Sequence, residues 1–173
     1  MTENLKVLNV KGEYTDTIRY ADGTVEVIKD QNLIVDGLYK IITSLLSAKG
    51  GYSGLQYWAI GSGNPSWDVS LPQPAKSDTR LTLEIGRKQI QPSDFAWVND
   101  EGVVQSQPTN RLRVRVTFST TECVGDWREF GIFGGNATST SNSGILMNHK
   151  NHALVTKTSE MEIEREIIFT FSS

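Results

Sequence analysis

The chain has 173 residues, with 17 Lys+Arg against 20 Asp+Glu and a formal net charge of −3. That length predicts one main body rather than a multi-domain enzyme, and a pI of about 5.4 argues against the basic surface that nucleic-acid binding requires. Hydrophobic residues supply 38% of the chain before its 15 glycines are added, and sixteen serines and sixteen threonines accompany only 21% charged residues. This composition supports a core and favours strands and turns over disorder. The longest apolar stretch, Leu33 to Leu46, is broken by Asp36 and Lys40 and falls short of the ~18 apolar residues of a membrane span, so no membrane partner is expected. Met1 to Lys6 carry no basic segment leading into an apolar one, which reads as no secretory signal and as synthesis in a cytoplasm.

Residues 5–30 read as a strand meander. Leu5-Lys6-Val7 opens one strand, and Thr17–Tyr20 and Thr24–Ile28 flank Ala21-Asp22-Gly23, where Asp-Gly predicts a hairpin with a type I′ turn. The period then changes. Val35, Leu38, Ile41, Ile42, Leu45 and Leu46 fall on one face of a helix near residues 33–47, with Asn32 as N-cap and Gly50-Gly51 at the C-terminus. Its apolar stripe is expected to cover a sheet.

Tyr57–Ile60 reads as a strand running into Gly61-Ser62-Gly63-Asn64-Pro65, and Ser66 to Ser77 is a proline-rich loop. Phe95–Val98 and Val103–Gln105 form a second hairpin around Asn99-Asp100-Glu101-Gly102. Arg111 to Phe118 alternates, with Leu112, Val114, Val116 and Phe118 on one face and Arg111, Arg113 and Arg115 on the other. Gly134 to Gly144 predicts an exposed, mobile loop. In the last strand, Met161, Ile163, Ile167, Phe169 and Phe171 oppose Glu162, Glu164 and Glu166. Placed beside the arginine strand, those glutamates would form cross-strand ion pairs of roughly 0.2–1 kcal/mol each. Arg165 falls in phase with the apolar positions, which predicts a bulge, a sheet end or a subunit contact.

No enzyme motif emerges. Gly61-Ser62-Gly63 lacks the Lys and Ser/Thr of a phosphate loop, His149 and His152 lack further metal ligands of their own, and no Gly-x-Ser-x-Gly elbow is present. Glu162, Glu164 and Glu166 fit a salt-linked face better than a glycosidase pair. The lone Cys123 cannot form an intrachain disulfide and is assigned no role. Asn136-Ala137-Thr138 matches a glycosylation sequon. Trp58, Trp67, Trp97 and Trp127 could form a sugar-stacking platform, although core or interface positions suit them better. The expected fold is a mainly β, antiparallel, jelly-roll-like sandwich with that one helix.

Five segments taken in order carry a resemblance: Asn32–Leu38, Ala59–Gly63, Asp78–Lys88, Arg128–Phe133 and the Lys157-Thr158 pair before the terminal strand. The series resembles small β-rich virion structural proteins of tailed bacteriophages, variously tail-fibre, baseplate or related components, and spans roughly residues 32–171. It implies particle assembly, a homo-oligomer among other virion structural proteins, synthesis in a host cytoplasm, and no catalytic, cofactor or metal site. Residues 1–31 then read as a meander or docking extension ahead of a sandwich domain at 32–173. The candidate contact regions are the N-terminal meander, the Asn64–Ser77 loop with Trp67, Pro72 and Pro74, the Gly134–Ser143 loop, and Arg165. Trp67 is the preferred anchor. The alternative is a receptor- or carbohydrate-binding module of an adhesion device, with a cell-surface glycan as partner.

Overall fold

A computed structural model describes residues 8–172; the strand start expected at Leu5–Val7 lies outside them. In chain order the elements are β1 (Asn9–Tyr20), β2 (Val25–Ile34), α1 (Gly37–Ser47), β3 (Ser53–Gly61), β4 (Glu84–Gln89), β5 (Phe95–Val98), β6 (Val104–Gln105), β7 (Arg111–Phe118), β8 (Gly125–Gly135), β9 (Ile145–Lys157) and β10 (Met161–Ser172). The strands form one ten-stranded antiparallel ladder in the order β4-β3-β8-β9-β2-β1-β10-β7-β5-β6. The mainly β, antiparallel character and the single helix are as the sequence predicts. The sheet's two halves are joined through β2, whose body pairs with β1 while Leu33 and Ile34 pair with His149 and Asn148 of β9.

Alternation creates the core. Val10, Tyr14 and Ile18 of β1, Val114, Val116 and Phe118 of β7, and Ile163, Ile167 and Phe169 of β10 are buried, as the period of two requires. They meet the other half through aromatic pairs: Tyr14 packs edge-on to Phe130 at 4.9 Å and Phe118 to Trp127 at 5.2 Å, a preferred ring geometry. β1 lies between β2 and β10, and residue 31 falls inside β2.

The first hairpin forms, but its turn is not type I′. Gly23 takes φ +85° while Asp22 is not among the positive-φ residues. Gly23 N–H donates to Tyr20 O at 3.0 Å and Tyr20 N–H to Thr24 O at 3.0 Å. This is a three-residue loop closed by a glycine bulge. The second hairpin turns at Gly102, φ +80°, with the Asn99 side chain accepting from the Glu101 and Val103 amides.

The helix begins later than the periodicity suggests. Leu33 and Ile34 complete β2, Asp36 rather than Asn32 is the N-cap, and Ala48 (φ +51°) ends the helix ahead of Gly50-Gly51. The reason is that Leu33 and Ile34 obtain backbone partners on β9, while Val35 is fully buried without helical geometry. Only Leu38 and Ile41 of the stripe are buried within the helix, and Leu46 is 83% exposed.

β10 lies between β1 and β7, and the expected charge ladder forms in part, since Arg111 sits opposite Thr170 and pairs with Asp100 instead. Glu166 sits opposite Arg115, whose Nη2 reaches it at 2.5 Å, with Arg113 at 3.7 Å. Glu162 and Glu164 also meet Arg19 of β1.

Candidate functional site

The Asn64–Ser77 loop carries three of the expected contact residues into one groove. Trp67 sits on a short 3₁₀ turn, Pro65–Asp68, whose Ser66 amide donates to the Asn64 side chain. Trp67 is half-buried, Pro74 half-buried and Pro72 exposed, and they border a groove of about 490 Å³ shared with His149 and Asn151. The indole fills the space above Gly63, where any Cβ would lie 2.4 Å from the ring. The turn is held by Arg128, which donates through Nε and Nη2 to Asp68 at 2.8 Å each.

Arg165 does not join them. The register across β1, β10 and β7 runs through it without a bulge, and the side chain is 0% exposed, so it offers no surface for a subunit contact. Its phase with the apolar positions has another cause: Asp16, directly opposite on β1, accepts from Nε at 2.6 Å and Nη2 at 2.5 Å. The guanidinium also stacks near Phe130 at 4.2 Å and Trp127 at 5.2 Å. Pairing and hydrogen bonds are what permit a charge at that depth.

A second buried chain of charges fastens the segment after the proline loop. His149 of β9 bonds Asp78 through Nδ1 at 2.8 Å and Glu129 of β8 through Nε2 at 3.2 Å. Glu129 is fully buried and also accepts from the Thr82 and Leu83 amides. Burial disfavours the imidazolium, but the two carboxylates outweigh it and raise the pKa. Because both ring nitrogens are occupied by carboxylates, this histidine is a fastening rather than a free base. The loop after β8 is likewise tied down, contrary to the mobility its composition predicts. Arg87, bonded to Glu84, donates to Thr138 O at 2.8 Å and Ser143 Oγ at 3.1 Å, and the Asn142 side chain bridges the Leu81 backbone.

The chemistry-bearing residues are dispersed. The Glu162, Glu164 and Glu166 face is occupied by arginines, and His152 is buried away from the His149 chain, bonded to Ala153 O. Among the described residues, no group of three or more His, Cys, Asp or Glu is placed to hold a metal ion. Burial pushes the Cys123 thiol up to about 11, far from a reactive thiolate. Trp58 and Trp127 are fully buried, so the four tryptophans form no platform. Among the described residues, no helix is long and apolar enough to cross a membrane.

One exposed apolar feature was not singled out from sequence. Two shallow grooves of about 370 and 410 Å³ adjoin through shared residues Phe95 and Leu112. One continues to Trp97 and Val104, the other to Leu38, Leu45 and Phe171. Trp97 is 41% exposed, and Leu45 and Val104 about half exposed. The face collects residues from α1, β3, β5, β6, β7, β9 and β10, which is why no single motif marks it. No protein-family model matches this chain, and no curated protein matches it.

Proposed function

We propose that this chain is a structural protein of a tailed-bacteriophage virion, a tail, baseplate or fibre-associated component that works as a homo-oligomer among other virion proteins. The observation that carries the assembly part is the apolar face centred on Phe95 and Leu112. Contiguous exposed apolar surface of this kind marks association sites. Sheet edges supply a weaker alternative: β6 is two residues long and β4 carries the partly exposed Lys88, features that discourage strand addition. Association is thus directed to side-chain packing. A net charge of −3 leaves little repulsion between copies. The virion part is supported by the five ordered segments that resemble such proteins, and the loops fastened by Arg128, His149 and Arg87 suit a passive building block.

Sedimentation velocity of the purified protein, together with its immunolocalisation in particles, tests this. The expected result is a defined oligomer that Trp97→Glu combined with Leu45→Glu dissociates, and labelling of the tail or baseplate. A protein that stays monomeric at all concentrations and is missing from particles overturns it.

A further inference from the structure

We infer that the fork between β2 and β9 takes an extended peptide segment of a different protein, added as a strand along the open edge of β9. The two strands meet only at one end, where Leu33 and Ile34 pair with His149 and Asn148. From there β2 runs back to Val25 beside β1, and β9 runs on to Lys157 beside β8. Among the described residues no strand lies between them, and Lys150 Nζ, 2.5 Å from Asp30, bars the throat of the fork.

The opening is a cleft of about 740 Å³, and the pattern of its lining shows what each strand presents. β1 contributes every second residue, Tyr14, Asp16, Ile18 and Tyr20, and β2 does the same with Glu26, Ile28 and Asp30. Ile18 sits opposite Glu26, Asp16 opposite Ile28 and Tyr14 opposite Asp30, so these two strands offer one shared face. β9 instead contributes an unbroken run, Lys150 to Thr156. A strand met face-on shows alternate residues, whereas one met along its edge shows all of them. β9 therefore borders the cleft with its edge, and it is the edge that β8 does not use.

That edge is equipped for pairing. Protected edges are short, charged or proline-bearing, as at the two ends of the ladder, where β6 is two residues long and β4 carries Lys88. Asn151 to Thr156 holds no lysine, arginine, carboxylate or proline. Trp127 pairs with Val155 and Glu129 with Asn151, so Arg128 alone faces His152 to Leu154. β9 thus has residues in excess over β8, and such residues keep backbone groups that the ladder does not consume. The Ala153 carbonyl accepts from His152 Nδ1 at 2.7 Å, but among the described residues no turn or loop backbone bonds to Lys150–Thr156. A bulge also serves to turn an edge away; here the unbroken lining keeps this one on the cleft.

The face that the added strand covers sets its chemistry. Main-chain bonds supply affinity in strand addition, and alternate side chains supply specificity. Tyr20, Ile28 and Val155 are only partly buried at the margin of the core, so apolar residues in the segment's inward row complete their burial. Asp16 is neutralised by Arg165 and Asp30 by Lys150, while Glu26 has only the uncharged Tyr20 hydroxyl, at 2.9 Å. One Lys or Arg in the inward row, beside an apolar residue of that row, meets Glu26 next to Ile28. At about 3.3 Å per residue, the edge from Lys150 to Thr156 is roughly 23 Å long and accepts a segment of about seven residues. Every described strand already belongs to the chain's own ladder, which assigns the segment to a different protein.

An mRNA-display library of octapeptides tests this, with threonine at alternate positions and valine, leucine, lysine or glutamate at the others. Selected peptides should carry one lysine among apolar residues and should slow amide exchange across residues 151–156. N-methylating the alternate amides that face β9 should weaken binding at least tenfold, while methylating the other set should be tolerated. Glu26→Gln, at an exposed position, should weaken the lysine peptide roughly two- to fivefold, the scale of an exposed ion pair, and leave its valine counterpart unchanged. Binding should persist in the Trp97→Glu, Leu45→Glu variant, so its outcome is separate from that of the assembly reading. A library without binders overturns the proposal, as does binding that survives N-methylation of each set in turn, selection of glutamate over lysine, or slowed exchange confined to the Phe95–Leu112 face. A peptide copying residues 1–8 that outcompetes every selected peptide gives the cleft to a second copy and overturns it as well.

Discussion

Removing Asp16 while leaving Arg165 in place tests the central energetic claim about the core. Arg165 is 0% exposed and Asp16 only 4%, so Asp16→Ala strips the guanidinium of two short bonds, 2.6 and 2.5 Å, with no water to replace them. Breaking a buried ion pair from one side costs about 3–5 kcal/mol. The rings of Phe130, Trp127 and Tyr14, at 4.2, 5.2 and 5.8 Å from the guanidinium carbon, still attract the orphaned cation and place the expected loss toward the lower end, about 3–4 kcal/mol. For a chain of this length that corresponds to a fall of roughly 6–16 °C in Tm. Replacing both charges, Asp16→Val with Arg165→Met, removes the uncompensated ion and should recover about 2 kcal/mol or more relative to the sum of the single variants. Urea unfolding followed by tryptophan fluorescence reads the cycle, since Trp127 lies against the guanidinium. Single variants that each lose under about 1 kcal/mol, or strict additivity of the pair, would refute the reasoning.

The Asp78–His149–Glu129 chain predicts a pH window. Burial opposes ionisation of both groups, yet hydrogen bonds to Glu129 and Asp78 raise the His149 pKa, and those from His149, Leu83 and Thr82 lower that of Glu129. The His149 contribution is complete below the unfolded imidazole pKa and fades as pH rises through the raised folded value. The Glu129 contribution is complete above the unfolded carboxylate pKa and fades as pH falls through the depressed folded one. Proteolytic cutting within Leu71–Leu83 should therefore be slowest between the two, and His149→Gln should abolish its alkaline rise; an unchanged alkaline slope in that variant would count against the fastening role. At Gly37 an added Cβ would lie 1.9 Å from the Leu146 carbonyl oxygen, so Gly37→Ala should cost about 1–3 kcal/mol. Gly54→Ala, with nothing within 4 Å, should stay within about 0.5 kcal/mol in the same thermal melts. Arg87→Ala should accelerate amide exchange across residues 136–144 while β8 and β9 stay protected, and uniform exchange through all three segments would show that the loop was never tied.

Period and turn chemistry made the strands of this fold legible, because alternation in Arg111–Phe118 and Met161–Phe171 survives packing unchanged. The helix start was not legible, since Leu33 and Ile34 fit a helical stripe and a β ladder equally and only their pairing with β9 decides. Arg165 is more instructive. Its inward phase was visible, and so in principle was its partner: Val10, Tyr14, Asp16 and Ile18 share one phase of β1, so an acid and a base each interrupt an apolar row. What one strand alone could not supply was the pairing of β1 with β10, a contact across 149 positions. Separations of 60 and 20 positions likewise hid Asp68 from Arg128 and Glu129 from His149, and the apolar face drew its residues from several separate elements.

These long-range fastenings converge on one hairpin. Arg128 and Glu129 of β8, with His149 and Asn151 of β9, hold the turn at Asp68, the Pro72 carbonyl, Asp78, and the Thr82 and Leu83 amides. A loop of mostly exposed residues is thereby ordered by buried polar anchors rather than by an apolar core of its own. Order established before association lowers the entropy lost on forming an interface. Surfaces that must be copied identically many times gain more from such anchoring than surfaces that adapt to varied partners. The β8–β9 hairpin is itself irregular where these anchors lie, Arg128 alone facing His152 to Leu154. A substitution that loosens this hairpin should therefore free the turn at Asp68 and the segment from Pro72 to Leu83 together, whereas one on the Phe95–Leu112 face should leave both ordered.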